Sequence, residues 1–207
     1  MEPQAVVFDI GNVLVGWVAE AFYDTRIGEA RRRRLFDEVP LHAVNLEIDR
    51  GAPFRTSIEA LAAAHPDWAA EIQWWHDDWA AMLQPEITHS STLLRRLRGK
   101  GIPVFALTNF GAETLEIARA MYPVLKEFDR AYVSAELGLL KPDPAIYAHV
   151  EADCGLAPGA LIFADDKPEN VAAAIARGWK AHVFDGPEGW AARLVAEGLL
   201  NAEEARA

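Results

Sequence analysis

Residues 6–14 read Val6-Val7-Phe8-Asp9-Ile10-Gly11-Asn12-Val13-Leu14. With Ala5, the stretch 5–8 is a short apolar run that stops at an aspartate and a glycine turn. A run of this kind reads as a strand buried on both faces, as in the parallel sheets of α/β proteins. Asp9 then stands where the strand leaves the sheet, at its carboxyl edge. An aspartate in that place also suits a turn or a helix cap, so its meaning depends on the other strand ends.

Working outward, similar apolar segments lie at 102–107, 161–164 and 181–184, with a weaker one at 131–134. Helical stretches are expected at 86–98, 112–121, 144–153, 168–177 and 188–197. Gly99-Lys100-Gly101 and Gly178 stop two of them just before a strand. Alternating strand and helix implies an α/β fold with a doubly wound parallel sheet. Residues 17–84 break the rhythm, with helix-like segments at 17–38, 54–64 and 67–82 and turns at Pro40, Gly51-Ala52-Pro53 and His65-Pro66. Ligands bind beyond the carboxyl ends of such strands. An insertion leaving from the end of the first strand therefore reads as a lid. The expected organisation is an α/β core domain of residues 1–16 and 85–207 with a helical cap, 17–84.

The 207 residues are 51% hydrophobic and 25% charged, in keeping with a folded domain. A formal net charge of −11 argues against nucleic acid or an anionic membrane as partner. The run Arg31-Arg32-Arg33-Arg34 lies in a helical stretch beside Glu29, Asp37 and Glu38 and reads as a solvated helix face. Cys154 is the sole cysteine, which excludes an internal disulfide. The first residues carry no signal-peptide pattern, and no apolar stretch approaches membrane-spanning length. A cytoplasmic protein acting on a small molecule is expected.

Three further segments carry chemistry. The second strand ends in Thr108-Asn109, a hydroxyl and an amide, with Gly111 opening the next helix. Lys141 sits between Leu140 and Pro142-Asp143-Pro144, in a loop stiffened by two prolines. The fourth strand ends in Asp165-Asp166. Two adjacent carboxylates at the end of an apolar strand repel each other unless a cation compensates. Capping needs only one aspartate. Oxygen ligands without a histidine or cysteine cluster point to magnesium.

Taken in order, Phe8-Asp9, Thr108-Asn109, Lys141 and Asp165-Asp166 resemble the four motifs of the haloacid dehalogenase superfamily, and the resemblance spans residues 5 to 184. It implies a magnesium-dependent phosphatase acting on a small phosphorylated metabolite, a sugar phosphate first, in which Asp9 is the nucleophile and an aspartyl-phosphate the intermediate. Magnesium would be held by Asp9, the Gly11 carbonyl and Asp166, with Asp165 supporting the metal or Lys141. Thr108, Lys141 and the Asn109 backbone would grip the phosphate oxygens. The Asp-x-Gly-Asn form of the first motif is similar to a bacterial sugar-phosphate phosphatase branch that includes enzymes acting on glucose 1-phosphate. Phosphatases of the superfamily usually carry a general acid two positions after the nucleophile, and Gly11 stands there instead.

Two other readings compete. A 2-haloacid dehalogenase uses the same aspartate without metal, but its fourth motif resembles serine and asparagine. A non-catalytic binding protein using the same pocket would explain Gly11, but not the retention of Asp9, Lys141 and both acidic residues. Cleavage of a carbon–phosphorus bond needs a cap lysine, and 17–84 contains none. Substrate choice falls to the cap, where Trp17, His42, Asn45, Glu47, Arg50 and His76 are the candidates.

Overall fold

The computed structural model describes residues 2–207. Its strands are β1 (Ala5–Phe8), β2 (Val15–Trp17), β3 (Leu83–Glu86), β4 (Val104–Thr108), β5 (Arg130–Val133), β6 (Leu161–Asp165) and β7 (Lys180–Val183). Five of them form one parallel sheet in the order β5-β4-β1-β6-β7. The chain starts at the centre, builds outward on one side and then on the other, as a doubly wound sheet does.

Period-two alternation explains why both faces are apolar. Val6 and Phe8 join Val104, Ala106, Ile162 and Ala164 in one cluster. Ala5 and Val7 join Phe105, Leu107, Leu161 and Phe163 in the other. Burying each such side chain is worth about 1.5–3 kcal/mol for the larger ones, which is why these short strands hold without polar alternation.

The helices before β3 are α1 (Ala19–Ile27), α2 (Glu29–Glu38), α3 (Leu41–Asp49), α4 (Phe54–Ala64), α5 (Ala69–Asp77) and α6 (Trp79–Met82). Those after it are α7 (Thr88–Gly99), α8 (Ala112–Met121), α9 (Ser134–Leu137), α10 (Pro144–Cys154), α11 (Pro168–Ala176) and α12 (Pro187–Ala196). α10 and α11 cover the second face of the sheet through Tyr147, Val150, Val171 and Ala174. α7 and α12 cover the first through Leu93, Leu97, Trp190 and Leu194, with Phe8 edge-on to Trp190 at 5.7 Å. The first cluster continues into the helical block, taking in Tyr23, Leu35, Ile58 and Trp75.

The block between β2 and β3 departs from its sequence pattern in four ways, the first being that the expected helix 67–82 is interrupted at Asp78, between α5 and α6. The expected helix 17–38 is broken at Gly28, whose φ of 76° is a conformation glycine adopts without penalty. Residues 41–49, left between turns, form α3. Residues 15–17 and 83–86 pair as a two-stranded antiparallel ribbon at the stem of the insertion. Three or four residues, one of them Pro85, are too few to show a strand period, and both domain boundaries drawn at 16/17 and 84/85 fall inside this ribbon. The arginine run also differs from a plain solvated face. Arg31 meets Glu71, Arg32 meets Asp24, Arg33 meets Glu29 and Arg34 meets Glu38, and Arg32 is buried. Among the described residues no helix is long and apolar enough to cross a membrane.

Candidate active site

Register decides which strand ends meet. Phe8 pairs with Ala106 on one side and Ala164 on the other, so Asp9 comes level with Asp165 and one residue short of Thr108. The Asp9 N–H donates to the Ala164 carbonyl at 2.9 Å, which carries the ladder one step past the strand. Lys141, from the loop between α9 and α10, closes the group. Its Nζ lies 2.9 Å from Asp9 Oδ1 and 2.6 Å from Asp165 Oδ2.

All three side chains are buried; Lys141 is only 4% exposed. Burying an ammonium costs several kcal/mol unless it is paired, and here two carboxylates share it. Burial alone would drive the Lys141 pKa down, but the charges of Asp9 and Asp165 outweigh it and hold the pKa above its usual value. Burial raises Asp9 to about 6, with Lys141 pulling it down and Asp165 pushing it up. Asp165 also accepts from the Lys167 N–H at 2.8 Å and from Asn170 Nδ2 at 2.9 and 3.0 Å. Both of its oxygens are thus committed to holding the loop and the lysine.

Asn109 does more than end a strand. Its Nδ2 donates to the Lys141 carbonyl at 3.0 Å and its Oδ1 accepts the Lys141 N–H at 2.8 Å. This reciprocal pair clamps the lysine loop against the end of β4. The turn after Asp9 is held by Asn12, whose φ of 56° is left-handed, a conformation asparagine tolerates better than most residues. Asn12 Nδ2 donates to Asp166 Oδ2 at 2.9 Å, and its Oδ1 accepts the Trp17 N–H at 2.8 Å. Gly11 is not among the residues with positive φ, and a Cβ there would meet nothing within 4 Å.

Asp9, Asp165 and Asp166 each offer a carboxylate oxygen, all within 4.8 Å of one another. An all-oxygen set of this kind fits a hard divalent cation such as magnesium. With Asp165 already saturated, Asp9 and Asp166 are the carboxylates with acceptor capacity left.

Thr108, Asn109, Lys141, Asp9, Gly11 and Asp166 line one cleft. Its opposite wall comes from the ribbon and the insertion: Trp17, Asn45, Leu46, Asp49, Trp79 and Leu83. Of the six cap candidates, Trp17 and Asn45 are there. His42 packs on Phe36 and Trp75, Glu47 and Arg50 pair with each other, and His76 lies against Phe54.

Asp49, at the end of the unexpected α3, was not a sequence candidate. Burial raises its pKa to about 7, opposed by the Gly111 N–H and Lys167, with smaller contributions from Asp9 upward and Lys141 downward. No motif marks it. The available signal was its spacing of four from Asn45, which puts both on one helix face. Asn12, Lys167 and Asn170 were likewise not singled out, although Asn12 lies inside the first motif.

A family model described as haloacid dehalogenase-like hydrolase matches residues 3–178. The chain belongs to this family. Among curated relatives, this hydrolase is 40% identical to the sesquiterpene phosphatase astK of Aspergillus oryzae over 96 residues, 46% of the chain and 48% of that protein. It is 24% identical to the drimenol cyclase drtB of Aspergillus calidoustus over 185 residues, 87% of the chain but 34% of that protein. The chain thus spans about half, or a third, of the length of these relatives. Among solved structures, the haloacid dehalogenase family enzyme bt-2542 of Bacteroides thetaiotaomicron superposes with a TM-score of 0.72 at 22% identity, over 94% of this chain and 99% of that one. Its complex with magnesium and inorganic phosphate gives 0.69 at 23%, over 91% and 97%. An L-2-haloacid dehalogenase from Xanthobacter autotrophicus gives 0.60 at 21%, over 98% and 86%. These likenesses establish the shared fold.

Proposed function

We propose that this hydrolase is a magnesium-dependent phosphomonoesterase that works through an aspartyl-phosphate on Asp9. The observation that carries the reading is the convergence of Asp9, Lys141, Thr108 and Asp166 on one cleft edge. Asp9 and Asp166, with the Gly11 carbonyl, would hold the ion. When bound, it would offset the repulsion between carboxylate and phosphate and polarise a phosphoryl oxygen.

The chain's own groups do the rest. Asp9 Oδ2, the oxygen not paired with Lys141, attacks phosphorus. Lys141 and Thr108 stabilise the charge on the non-bridging oxygens, which is the main protein contribution to phosphoryl transfer. Asp165 and Asn109 hold Lys141 in place, one by its ammonium and the other by its backbone. Water then hydrolyses the aspartyl-phosphate and restores Asp9. An acidic pair beside the nucleophile favours this reading over dehalogenation.

A sugar phosphate is the first substrate class, supported by the likeness of the Asp-x-Gly-Asn turn to the sugar-phosphate branch and by Trp17 and Trp79, which offer faces for a sugar ring. A second class is favoured by the cleft's apolar flank, where Leu46, Leu83 and Phe110 join the two tryptophans, and by the sesquiterpene phosphatase among its relatives. That class is an apolar alkyl or isoprenoid monophosphate.

The test is phosphate release from glucose 1-phosphate, glucose 6-phosphate, a fifteen-carbon isoprenoid monophosphate and p-nitrophenyl phosphate, with magnesium and with excess chelator. Turnover on at least one ester is expected, abolished by chelator and by Asp9→Asn. Turnover in chelator, or retained by Asp9→Asn, would overturn the mechanism.

A further inference from the structure

The first motif leaves a proton unaccounted for. An ordinary alkoxide is a poor leaving group, and Gly11 carries no acid to protonate it. The cleft narrows the search. Its titratable lining residues, among those described, are Asp9, Asp49, Lys141, Asp166 and Lys167. Asp9 is the nucleophile, and Asp166 is tied to Asn12 and the proposed ion. Lys141 is buried between two carboxylates, and Lys167 offers an ammonium rather than a carboxyl. Asp49 is the carboxyl that remains, on the wall facing the sheet edge.

It is also fixed in place. Asn45 Nδ2 donates to Asp49 Oδ2 at 3.0 Å, and Asn45 Oδ1 in turn accepts the Trp75 Nε1–H at 2.9 Å. The Asp49 carbonyl accepts from Ser134 Oγ at 2.5 Å, and Ser134 Oγ accepts the Phe110 N–H at 2.8 Å. The end of α3 is thereby stapled to the segment that follows Thr108-Asn109. Gly111 allows the approach: a Cβ on it would stand 2.8 Å from Ile48 Cγ2 and 3.3 Å from the Ile48 carbonyl.

We propose that Asp49 is the general acid of this hydrolase, supplying from the insertion the proton that Gly11 cannot. The inference rests on the phosphatase reading above. As the Asp9 oxygen bonds to phosphorus, the bond from phosphorus to the ester oxygen breaks. Its electron pair stays on that oxygen, which takes the Asp49 proton and leaves as the alcohol. Asp49, now ionised, accepts a proton from the water that attacks the aspartyl-phosphate. Inorganic phosphate departs, and both aspartates return to their starting states.

The groups facing Asp49 across the cleft, Lys167, Lys141 and Asp9, favour ionisation and oppose it in turn, while burial keeps the carboxyl protonated toward neutral pH. A general acid is most effective when its pKa lies near the working pH.

The test compares kcat/KM, which reports the steps up to departure of the leaving group, on a primary alkyl phosphate and on p-nitrophenyl phosphate, whose phenolate needs no proton. Asp49→Asn should lower the alkyl value about 10²–10⁴-fold, the span of general acid catalysis, and the aryl value by less than tenfold. In the wild type the alkyl profile should fall as pH rises through about 7, and the aryl profile should lack that limb, a comparison that needs no variant. Equal losses on both esters, or identical pH profiles, would make Asp49 a docking residue and overturn the inference alone. A wild type that releases phosphate from no ester would overturn the phosphatase reading itself.

Discussion

Asp49→Asn has a consequence for stability that can be worked out without any substrate. The folded protein raises this carboxyl from 3.8 to about 7, chiefly by burial. A carboxyl with a raised folded pKa ionises first in the unfolded chain, so folding loses stability as pH climbs from about 3.8, and the full penalty is present above 7. At about 1.4 kcal/mol per unit, the shift amounts to about 4 kcal/mol at pH 8 and about 1–2 kcal/mol at pH 5. Asparagine removes the ionisation but puts an amide donor where Asp49 Oδ2 accepts from Asn45, which forfeits about 1 kcal/mol. The variant should therefore be more stable by about 3 kcal/mol at pH 8 and nearly neutral at pH 5. At roughly 2–4 °C per kcal/mol for a domain of this size, the melting temperature should rise by about 6–12 °C at pH 8 and by only a degree or two at pH 5. Scanning calorimetry of both proteins in chelator at the two pH values measures this. The same shift at both pH values, or a loss at pH 8, would refute the idea that the fold holds Asp49 desolvated.

Three other outcomes follow from the geometry. Asp166→Ala should weaken magnesium binding in titration calorimetry more than Asp165→Ala; Asp165→Ala should instead lower stability by about 3–5 kcal/mol, because it leaves the buried Lys141 short of a partner. Gly11→Asp should fold with an unchanged melting temperature, since the site is open and its φ is ordinary, and in the Asp49→Asn background it should restore part of the alkyl-phosphate rate; a melt lowered by several degrees would show that the glycine is structurally required. Gly111→Ala should cost about 1–3 kcal/mol, because its methyl would press on Ile48 Cγ2 and on Thr114 Oγ1, and chemical denaturation with no change in midpoint would contradict that seat.

The sheet was legible because a parallel strand buried on both faces leaves an uninterrupted apolar run. The runs ending at Asp9, Thr108 and Asp165 stop where the chain leaves that environment, so the residues next to the chemistry also marked the strand ends. The insertion was less legible. Leu41-His42-Ala43-Val44-Asn45-Leu46-Glu47-Ile48-Asp49 forms a helix that buries only Leu41 and Ile48 fully, too narrow a stripe to stand out beside Pro40 and Gly51. Asp49 owes its environment to Gly111, Ser134 and Lys167, which lie 62 or more positions away. The second task of Asn109, gripping the Lys141 backbone, is equally a matter of tertiary placement, because only the fold brings those loops within reach. Trp17 and Asn45 were named among six candidates, but nothing in their spacing separated them from His42 or His76.

Asn12 joins two parts of the molecule that serve different ends. One side of its amide holds Asp166, and the other accepts the N–H of Trp17, the last residue of β2 in the ribbon. A displacement of the ribbon would reach Asp166 through Asn12, and a cation that fixed Asp166 would pull back on the ribbon through the same side chain. Linkage makes such coupling reciprocal: by whatever factor a ligand settling the ribbon improves cation affinity, the cation improves that ligand's affinity by the same factor. A ligand held at the cleft's mouth and a cation held at its floor would then be coupled through one left-handed asparagine.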